Sequence, residues 1–278
     1  MKYKRSQLII ISILALGTST STFGQKVQNV QETSVWAVAP VKVDGKTTDE
    51  KFQASNKSTL LSYTMSNDDK NLYLVVKSTD KTNNAKIMMG GITLAINTEG
   101  KKKEKEGFSI TYPVIVRAQR GQGGQRQGGG GFGGQQTGQG TRLQASADSA
   151  ALARQKQVLA AVKEIKILGF KDIPDTLISI YNEYEINAVA RLDDMGVYVY
   201  ELAVPLKSMG LTLKSKDFAY NIKVNGRQFG GGGGFGGGGG FGGGGGFGGG
   251  QGGGGRSGFD PSAFLPTDFW GKYTLAKK

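Results

Sequence analysis

The chain has 278 residues, with 35 lysines and arginines against 22 acidic residues, which gives a net charge of +13 at neutral pH. It contains neither histidine nor cysteine. Catalytic machinery of the Ser-His-Asp and Cys-His types is therefore excluded, as are imidazole and thiolate metal sites, disulfides and an anchor on an N-terminal lipidated cysteine.

Residues 1–24 have the pattern of a secretory signal peptide. A basic start, Met1 to Arg5, precedes the apolar run Leu8 to Leu16, and small and polar residues follow up to Gly24. The apolar run is too short to span a bilayer, and no later segment has the length of a transmembrane helix. We expect cleavage near Gly24 and export to the periplasm, outer surface or exterior of a Gram-negative bacterium. Cleavage removes three basic residues, which leaves a net charge of +10 and favours acidic polymers as partners or serves solubility alone.

The first half of the mature chain reads as a series of strands. Alternation and apolar content predict strands over Val35 to Val43, Leu60 to Met65, Asn71 to Lys77, Ile87 to Asn97 and Phe108 to Arg117. The second and third of these form a predicted hairpin across the turn Asn67 to Lys70. Gly90 and Gly91 predict a bulge or bend within the fourth strand.

Two glycine-rich inserts and one helix interrupt the strands. Residues 119–142 are mostly Gly, Gln and Arg, and residues 229–258 are mostly Gly, with phenylalanine at every sixth position from Phe229 to Phe247. Neither composition can build a core, so we expect two disordered loops within one domain, residues 35–278. Residues 145–166 between them predict a single surface helix.

The stretch Val197 to Leu211 is the best-patterned strand of the second half. Pro205 ends it, and the next residues predict one helical turn closed by Gly210. Glu201 is an acid within this hydrophobic strand, and we interpret it as a structural carboxylate held by a hydrogen bond or a neighbouring cation. Further strands are predicted over Ile178 to Tyr184, Glu185 to Leu192, Phe218 to Val224 and Phe269 to Ala276, with a turn at Asp193 to Gly196.

Many short strands with turn signals predict an all-β fold, an antiparallel β-sandwich. The order of signals resembles the family 9 carbohydrate-binding modules and their relatives among DOMON-like sandwiches. The resemblance rests on Val43 to Gly45 with Asp49, Glu50 and Phe52, on Asn67 to Leu74, on Glu201 to Leu206 with Gly210 and Leu211, and on Gly271 to Leu275. It implies sugar binding and makes Ca²⁺ a candidate cofactor. The chain departs from the family pattern at Lys51 and Phe52, where the family commonly has tryptophan, and in its two glycine tracts.

The candidate ligand contacts are Trp270, Lys272 and Trp36. If Tyr273 faces the core, Trp270 and Lys272 point the other way, where an indole beside a cation can stack on a sugar ring or cover the sheet. For Trp36, packing is the favoured interpretation. Asp44, Asp49 and Asp80 are the candidate oxygen ligands for Ca²⁺, although acidic turns are usually only solvated.

We interpret the chain as an exported, non-catalytic module that binds carbohydrate or a cell-surface glycan. The alternative is a structural or adhesive envelope protein that uses its glycine-rich loops for interaction, and a carboxylate-based glycosidase is a weaker alternative. Arginines among the Gly-Gln repeats resemble a nucleic-acid segment of the RGG type, but export argues against nucleic acid as a partner. The sequence does not fix the oligomeric state.

Overall fold

The computed structural model describes residues 27–46, 52–115, 140–226 and 265–278, of which residues 140–147 by their helical backbone alone. The predicted signal peptide, the Gly/Phe-rich insert 229–258, Asp49 and nearly all of the insert 119–142 lie outside these residues. None of the described helices is long and apolar enough to cross a membrane.

Eleven strands and two helices make up the described part of the chain. The strands are β1 (Ala54–Asn56), β2 (Leu61–Asn67), β3 (Asn71–Ser78), β4 (Ile92–Asn97), β5 (Phe108–Tyr112), β6 (Glu164–Leu168), β7 (Leu177–Ser179), β8 (Asn187–Leu192), β9 (Tyr198–Pro205), β10 (Phe218–Val224) and β11 (Thr267–Tyr273), and the helices are α1 (Lys81–Gly90) and α2 (Gly140–Ala161). A five-stranded sheet has the order β1-β2-β3-β9-β8, and a six-stranded sheet has the order β11-β10-β4-β5-β6-β7. All strand pairs are antiparallel. The predicted antiparallel β-sandwich is confirmed.

The core lies between the two sheets, and β9 shows how the sequence builds it. The side chains of β9 alternate between the two faces of the sheet, so that Tyr198, Tyr200, Leu202 and Val204 join the hydrophobic core. Val199, Glu201 and Ala203 lie on the opposite, outer face and are nevertheless buried. The outer face of the five-stranded sheet is therefore covered.

A tyrosine pair joins the two sheets across the core. The hydroxyl oxygens of Tyr63 on β2 and Tyr220 on β10 are 2.8 Å apart, and the backbone N–H of Gln31 donates to the Tyr63 hydroxyl. Gly271 lies directly opposite Tyr220 in the strand register. A Cβ at this glycine would lie 2.3 Å from Cζ of Tyr220, so only glycine leaves room for the tyrosine ring.

The hairpin prediction is confirmed by β2 and β3, which pair antiparallel around the turn at Asp68 to Lys70. The turn Asp193 to Gly196 joins β8 to β9, and β10 has the predicted bounds. Pro205 ends β9, and a 3-10 turn over Leu206–Met209 follows, closed by Gly210 in the left-handed conformation. The two strands on either side of residues 227–264, β10 and β11, are paired neighbours in one sheet.

Two strand predictions in the first half are wrong. Residues 35–43 form a single parallel bridge, Trp36 to Asn67, and not a strand, because the chain bends at Val38 and Ala39, directly before Pro40, which has no N–H to donate. Residues 81–90 form a helix, whereas we predicted a strand from Ile87 with a glycine bulge. The Asp80 side chain caps this helix by accepting from the N–H of Asn83, and Gly91 with φ +74° ends it, so β4 begins only at Ile92.

The second helix is displaced from the predicted residues 145–166. It begins at Gly140, within the insert predicted to be disordered, and ends at Ala161. Residues 164–168 form β6, as the extended spacing from Glu164 to Phe170 predicts, because Ile165 and Ile167 alternate with exposed residues and pack into the core. The sandwich therefore carries two helices, where the sequence predicted one.

Candidate functional site

A groove runs along the β8 edge of the five-stranded sheet, where, among the described strands, β8 pairs with β9 alone. It consists of two clefts of about 490 and 760 Å³ that share Asn71 of β3 and Asn187 of β8, and we call it the Asn187 groove. The base of the groove is recessed because Asn187 pairs with Ala203, which has a small side chain. Ala203 in turn pairs with Tyr73. The Asn71 amide donates to the Tyr73 hydroxyl at 3.3 Å, and the Asn187 amide donates to the carbonyl of Glu185 at 3.1 Å.

The loop between β7 and β8 presents Tyr181 to one cleft of this groove. Tyr181 is 79% exposed, and the Nζ of Lys163 lies 5.9 Å from the centre of its ring. Asn182 fixes the loop, since its Nδ2 donates to the carbonyls of Ser179 and Ile186 and its Oδ1 accepts from the N–H groups of Tyr184 and Ile186. An exposed ring on a loop held in this way loses little conformational entropy on binding.

The tip of the β2–β3 hairpin forms a wall of the groove. The Asp68 carboxylate accepts from the N–H groups of Lys70 and Asn71 and, at 2.6 Å, from the Tyr73 hydroxyl. Burial alone would raise the pKa of Asp68, but these hydrogen bonds outweigh it and lower the pKa. Burial and the adjacent carboxylate raise the pKa of Tyr73 to about 12. Tyr73 is consequently a neutral hydrogen-bond donor at physiological pH.

A short segment that includes Pro40, Val41 and Val43 lines the groove. Hydrogen bonds to Glu201 hold this segment on the outer face of the sheet. The N–H groups of Asp44 and Gly45 both donate to Glu201 Oε2, each at 2.7 Å. Gly45 has φ +77°, and a Cβ there would lie 2.5 Å from Cδ of Arg191, which packs over it. Burial raises the pKa of Glu201, although the two backbone hydrogen bonds act in the opposite direction. The acid within the strand thus holds the segment that covers the outer face.

The second cleft of the groove is lined by charged residues of both signs. Lys207 and Glu185 form an exposed ion pair, with Nζ and Oε2 3.0 Å apart. Asp69 and Lys70 of the hairpin turn also line this cleft, together with Thr212. The described lining residues of the two clefts therefore include two acids and two lysines, and the groove is polar without a net charge.

The structure separates the aromatic residues that we predicted as ligand contacts. Trp270 is half-buried on the outer face of the six-stranded sheet, directly opposite Asn221, and Lys272 pairs with Asp217 at 3.3 Å. Trp36 lies at the bridge to Asn67, near the end of the five-stranded sheet. Among the described residues, neither cleft of the Asn187 groove is lined by Trp36, Trp270 or Lys272. Their contact with a ligand stays a prediction.

The structure does not bring the candidate calcium ligands together. The Asp80 carboxylate caps α1, and the Asp44 carboxylate accepts from the N–H of Lys46 in its own turn. In the described ranges, no group of three or more acidic residues is arranged to hold a metal ion. Asp49 lies outside those ranges.

Sequence reasoning missed Tyr181 and Asn187. We assigned Ile178 to Tyr184 to a strand, which made Tyr181 one more alternating residue, whereas the strand ends at Ser179. Asn182 was the available signal, because asparagine with neighbouring acidic residues is typical of a turn. Which of the tyrosines in this stretch faces a cleft depends on tertiary packing.

The fold is thus an antiparallel β-sandwich with a polar groove at one sheet edge. No family model matches the sequence. No curated protein matches it either. Among solved structures, the chain is similar to a carbohydrate binding module of family 9 from Caldicellulosiruptor kristjanssonii in complex with glucose, with 8% identity, a TM-score of 0.37, and coverage of 88% of this chain and 96% of that one. The similarity is a distant one of fold, it gives no support to the DOMON part of the resemblance, and it says nothing about a ligand of this chain.

Proposed function

We propose that the chain is an exported, non-catalytic module that binds a carbohydrate or cell-surface glycan in the Asn187 groove. The observation that carries the proposal is the exposed ring of Tyr181, on a loop held by Asn182, in a cleft that Asn71 and Asn187 also line. Sugar rings present apolar C–H faces that stack on aromatic side chains, and their hydroxyls exchange hydrogen bonds with amides and carboxylates. The proposal of export rests on the signal-peptide pattern of residues 1–24.

The balanced charge of the groove favours a neutral glycan. The two acids and two lysines in its lining, Asp69, Glu185, Lys70 and Lys207, are all surface groups, and Glu185 and Lys207 already neutralise each other. A strongly acidic polymer would gain little from such a surface. We therefore expect binding that changes little when the salt concentration rises, because screening acts on unbalanced charge.

A glycan array probed with residues 25–278 tests the proposal. We expect binding to a neutral polysaccharide or oligosaccharide that survives 0.5 M salt. Absence of binding to every neutral and acidic glycan on the array would overturn the proposal.

Two aromatic substitutions locate the site. Tyr181→Ala should weaken glycan binding about 2- to 12-fold, while Trp270→Ala, the matched aromatic control on the six-stranded sheet, should leave it unchanged. The reverse pattern would move the site to the face predicted from the sequence. The alternative of an adhesive protein that acts through its glycine tracts concerns residues outside the described ranges and stays a prediction.

A further inference from the structure

A third cleft, in addition to the two that form the Asn187 groove, lies between α2 and the inner side of β8. It measures about 600 Å³ and is lined by Leu159 of the helix, by Val162 directly after it, and by Ala188, Ala190 and Leu192 of the strand. Tyr112 of β5 also contributes to the lining. We call it the α2–β8 cleft. Its volume lies within the range of small-molecule sites.

The cleft exists because small residues face inward at the edge of the sandwich. Ala188 and Ala190 stand opposite Leu202 and Tyr200 in the register with β9, at positions where larger side chains would complete the core. The rings of Tyr200 and Tyr112 are 6.5 Å apart, centre to centre. Within the described residues, the buried hydroxyls of Tyr198 and Tyr200 have no hydrogen-bond partner.

The charge of this cleft differs from that of the groove. Its thirteen lining residues include three cations, Lys156, Lys163 and Arg191, and no acid. Lys156 is paired with Asp194, and Arg191 packs over Gly45. Lys163 is exposed, contacts the Tyr181 ring, and forms no ion pair within the described part of the chain. An apolar interior with unbalanced positive charge at its opening complements a molecule with a hydrocarbon body and an anionic head.

We propose that the α2–β8 cleft binds a medium-chain carboxylic acid. The hydrocarbon chain lies between α2 and β8, against Leu159, Val162 and Ala190, and the carboxylate is met by Lys163 at the opening. The proposal differs from the glycan proposal in its ligand class and is tested at Lys163 and Ala190, which do not line the groove, although Ile180, Tyr181, Ala188 and Val189 line both sites.

Calorimetric titration with decanoate, below the concentration at which it forms micelles, tests the charge requirement. We expect saturable binding of decanoate and none of decyltrimethylammonium, which has the same chain and the opposite charge. Lys163→Gln should weaken decanoate binding about two- to fivefold, as expected for an exposed charge contact. Lys166→Gln, at an exposed position outside the cleft, is the matched control and should leave the affinity unchanged. Equal binding of decanoate and decyltrimethylammonium, or equal effects of Lys163→Gln and Lys166→Gln, would overturn the proposal.

Filling the cleft tests its interior. Ala190→Leu places side-chain volume in the space assigned to the hydrocarbon chain and should weaken decanoate binding at least about tenfold. Ala153→Leu, on the exposed side of α2, is the control and should have no effect. Thermal unfolding of Ala190→Leu establishes that the variant is folded; if it is not, Ala190→Val replaces it with the same expectation. Unchanged decanoate affinity in a folded variant would show that the acid binds elsewhere and would overturn the proposal.

Discussion

The two aromatic residues proposed as ligand contacts, Tyr181 and Trp270, differ in what surrounds the ring. Tyr181 projects from a loop that Asn182 holds with four hydrogen bonds, and it borders a groove lined by amides. Trp270 lies on the face of a sheet, opposite Asn221, whose Nδ2 donates to Asp268 Oδ2 at 2.6 Å and to the carbonyl of Phe269. The Tyr181 ring borders a concave surface, whereas Trp270 lies on a strand that is paired without interruption.

Aromatic identity and exposure therefore do not define a binding site by themselves. The row of residues that faces outward beside Trp270 runs through Asn221, Ala95 and Ser109 on successive strands, and all three are buried. An indole there covers small residues. Tyr181, in contrast, has a neighbouring cleft into which a ligand can fit.

If the six-stranded sheet around Trp270 is scaffold, a change in β11 should affect stability most. Gly271→Ala forces a Cβ into the Tyr220 ring, and we expect the free energy of unfolding to fall by about 1–3 kcal/mol, as for other overpacked sites. Denaturant unfolding measures it. Thr274→Ala, exposed on the same chain segment, is the control, with an expected change below about 0.5 kcal/mol. Equal effects of the two changes would show that the Tyr220 ring does not require glycine.

The second largest effect is expected where the groove is fastened to the sheet. Glu201→Ala leaves the N–H groups of Asp44 and Gly45 without their acceptor, so the free energy of unfolding should fall by about 1–2 kcal/mol. Glycan affinity should fall as well, because the segment with Val41 and Val43 loses its attachment. Unchanged glycan affinity in this variant would mean that the segment is not needed for the groove.

A pH series on Glu201→Gln separates the hydrogen bonds from the charge. The pKa of Glu201 is raised above its usual value of 4.5, so its protonated form is favoured by folding. Its stabilising contribution is therefore complete below pH 4.5 and is lost as the pH rises through the folded-state pKa. As the pH rises through that pKa, we expect the free energy of unfolding of the wild type to fall relative to that of Glu201→Gln. Below pH 4.5, the free energies of unfolding of the two proteins should converge. A constant difference at all pH values would contradict the raised pKa.

A smaller effect is expected at the proposed contact itself. Tyr181→Ala removes an aromatic stack worth about 0.5–1.5 kcal/mol, which corresponds to an affinity loss of about 2- to 12-fold. Tyr181→Phe keeps the ring and should retain most of the affinity. Because the side chain is exposed, neither change should alter the free energy of unfolding by more than about 0.5 kcal/mol. Loss of binding in Tyr181→Phe equal to that in Tyr181→Ala would assign the contact to the hydroxyl rather than to the ring.

The smallest effect is expected at the charged end of the groove. Lys207→Gln breaks an exposed ion pair with Glu185, and such pairs contribute little in high dielectric. The free energy of unfolding should stay constant within about 0.5 kcal/mol, and glycan affinity should change less than in Tyr181→Ala. A larger loss of affinity would indicate that the glycan carries negative charge.

The sequence predicted most of the sheet because strand signals are local. The alternation in β9, the turn chemistry between β2 and β3, and the Pro205 stop each depend on neighbouring residues alone. The helix over residues 81–90 was missed because Asp80 as its cap and Gly91 as its end were interpreted as loop and bulge. The groove could not be predicted, since Asn71, Tyr181 and Asn187 are brought together only by the pairing of β3, β9 and β8 and by the loop that precedes β8.

Chemical-shift mapping by NMR with the glycan selected on the array tests the central claim most directly. Titration of the labelled mature chain should shift the signals of Tyr181 and of the Asn71 and Asn187 side-chain amides, and leave those of Trp270 and Lys272 in place. Shifts confined to Trp270 and Lys272, with the signals of the Asn187 groove unchanged, would contradict the account and place the ligand on the six-stranded sheet.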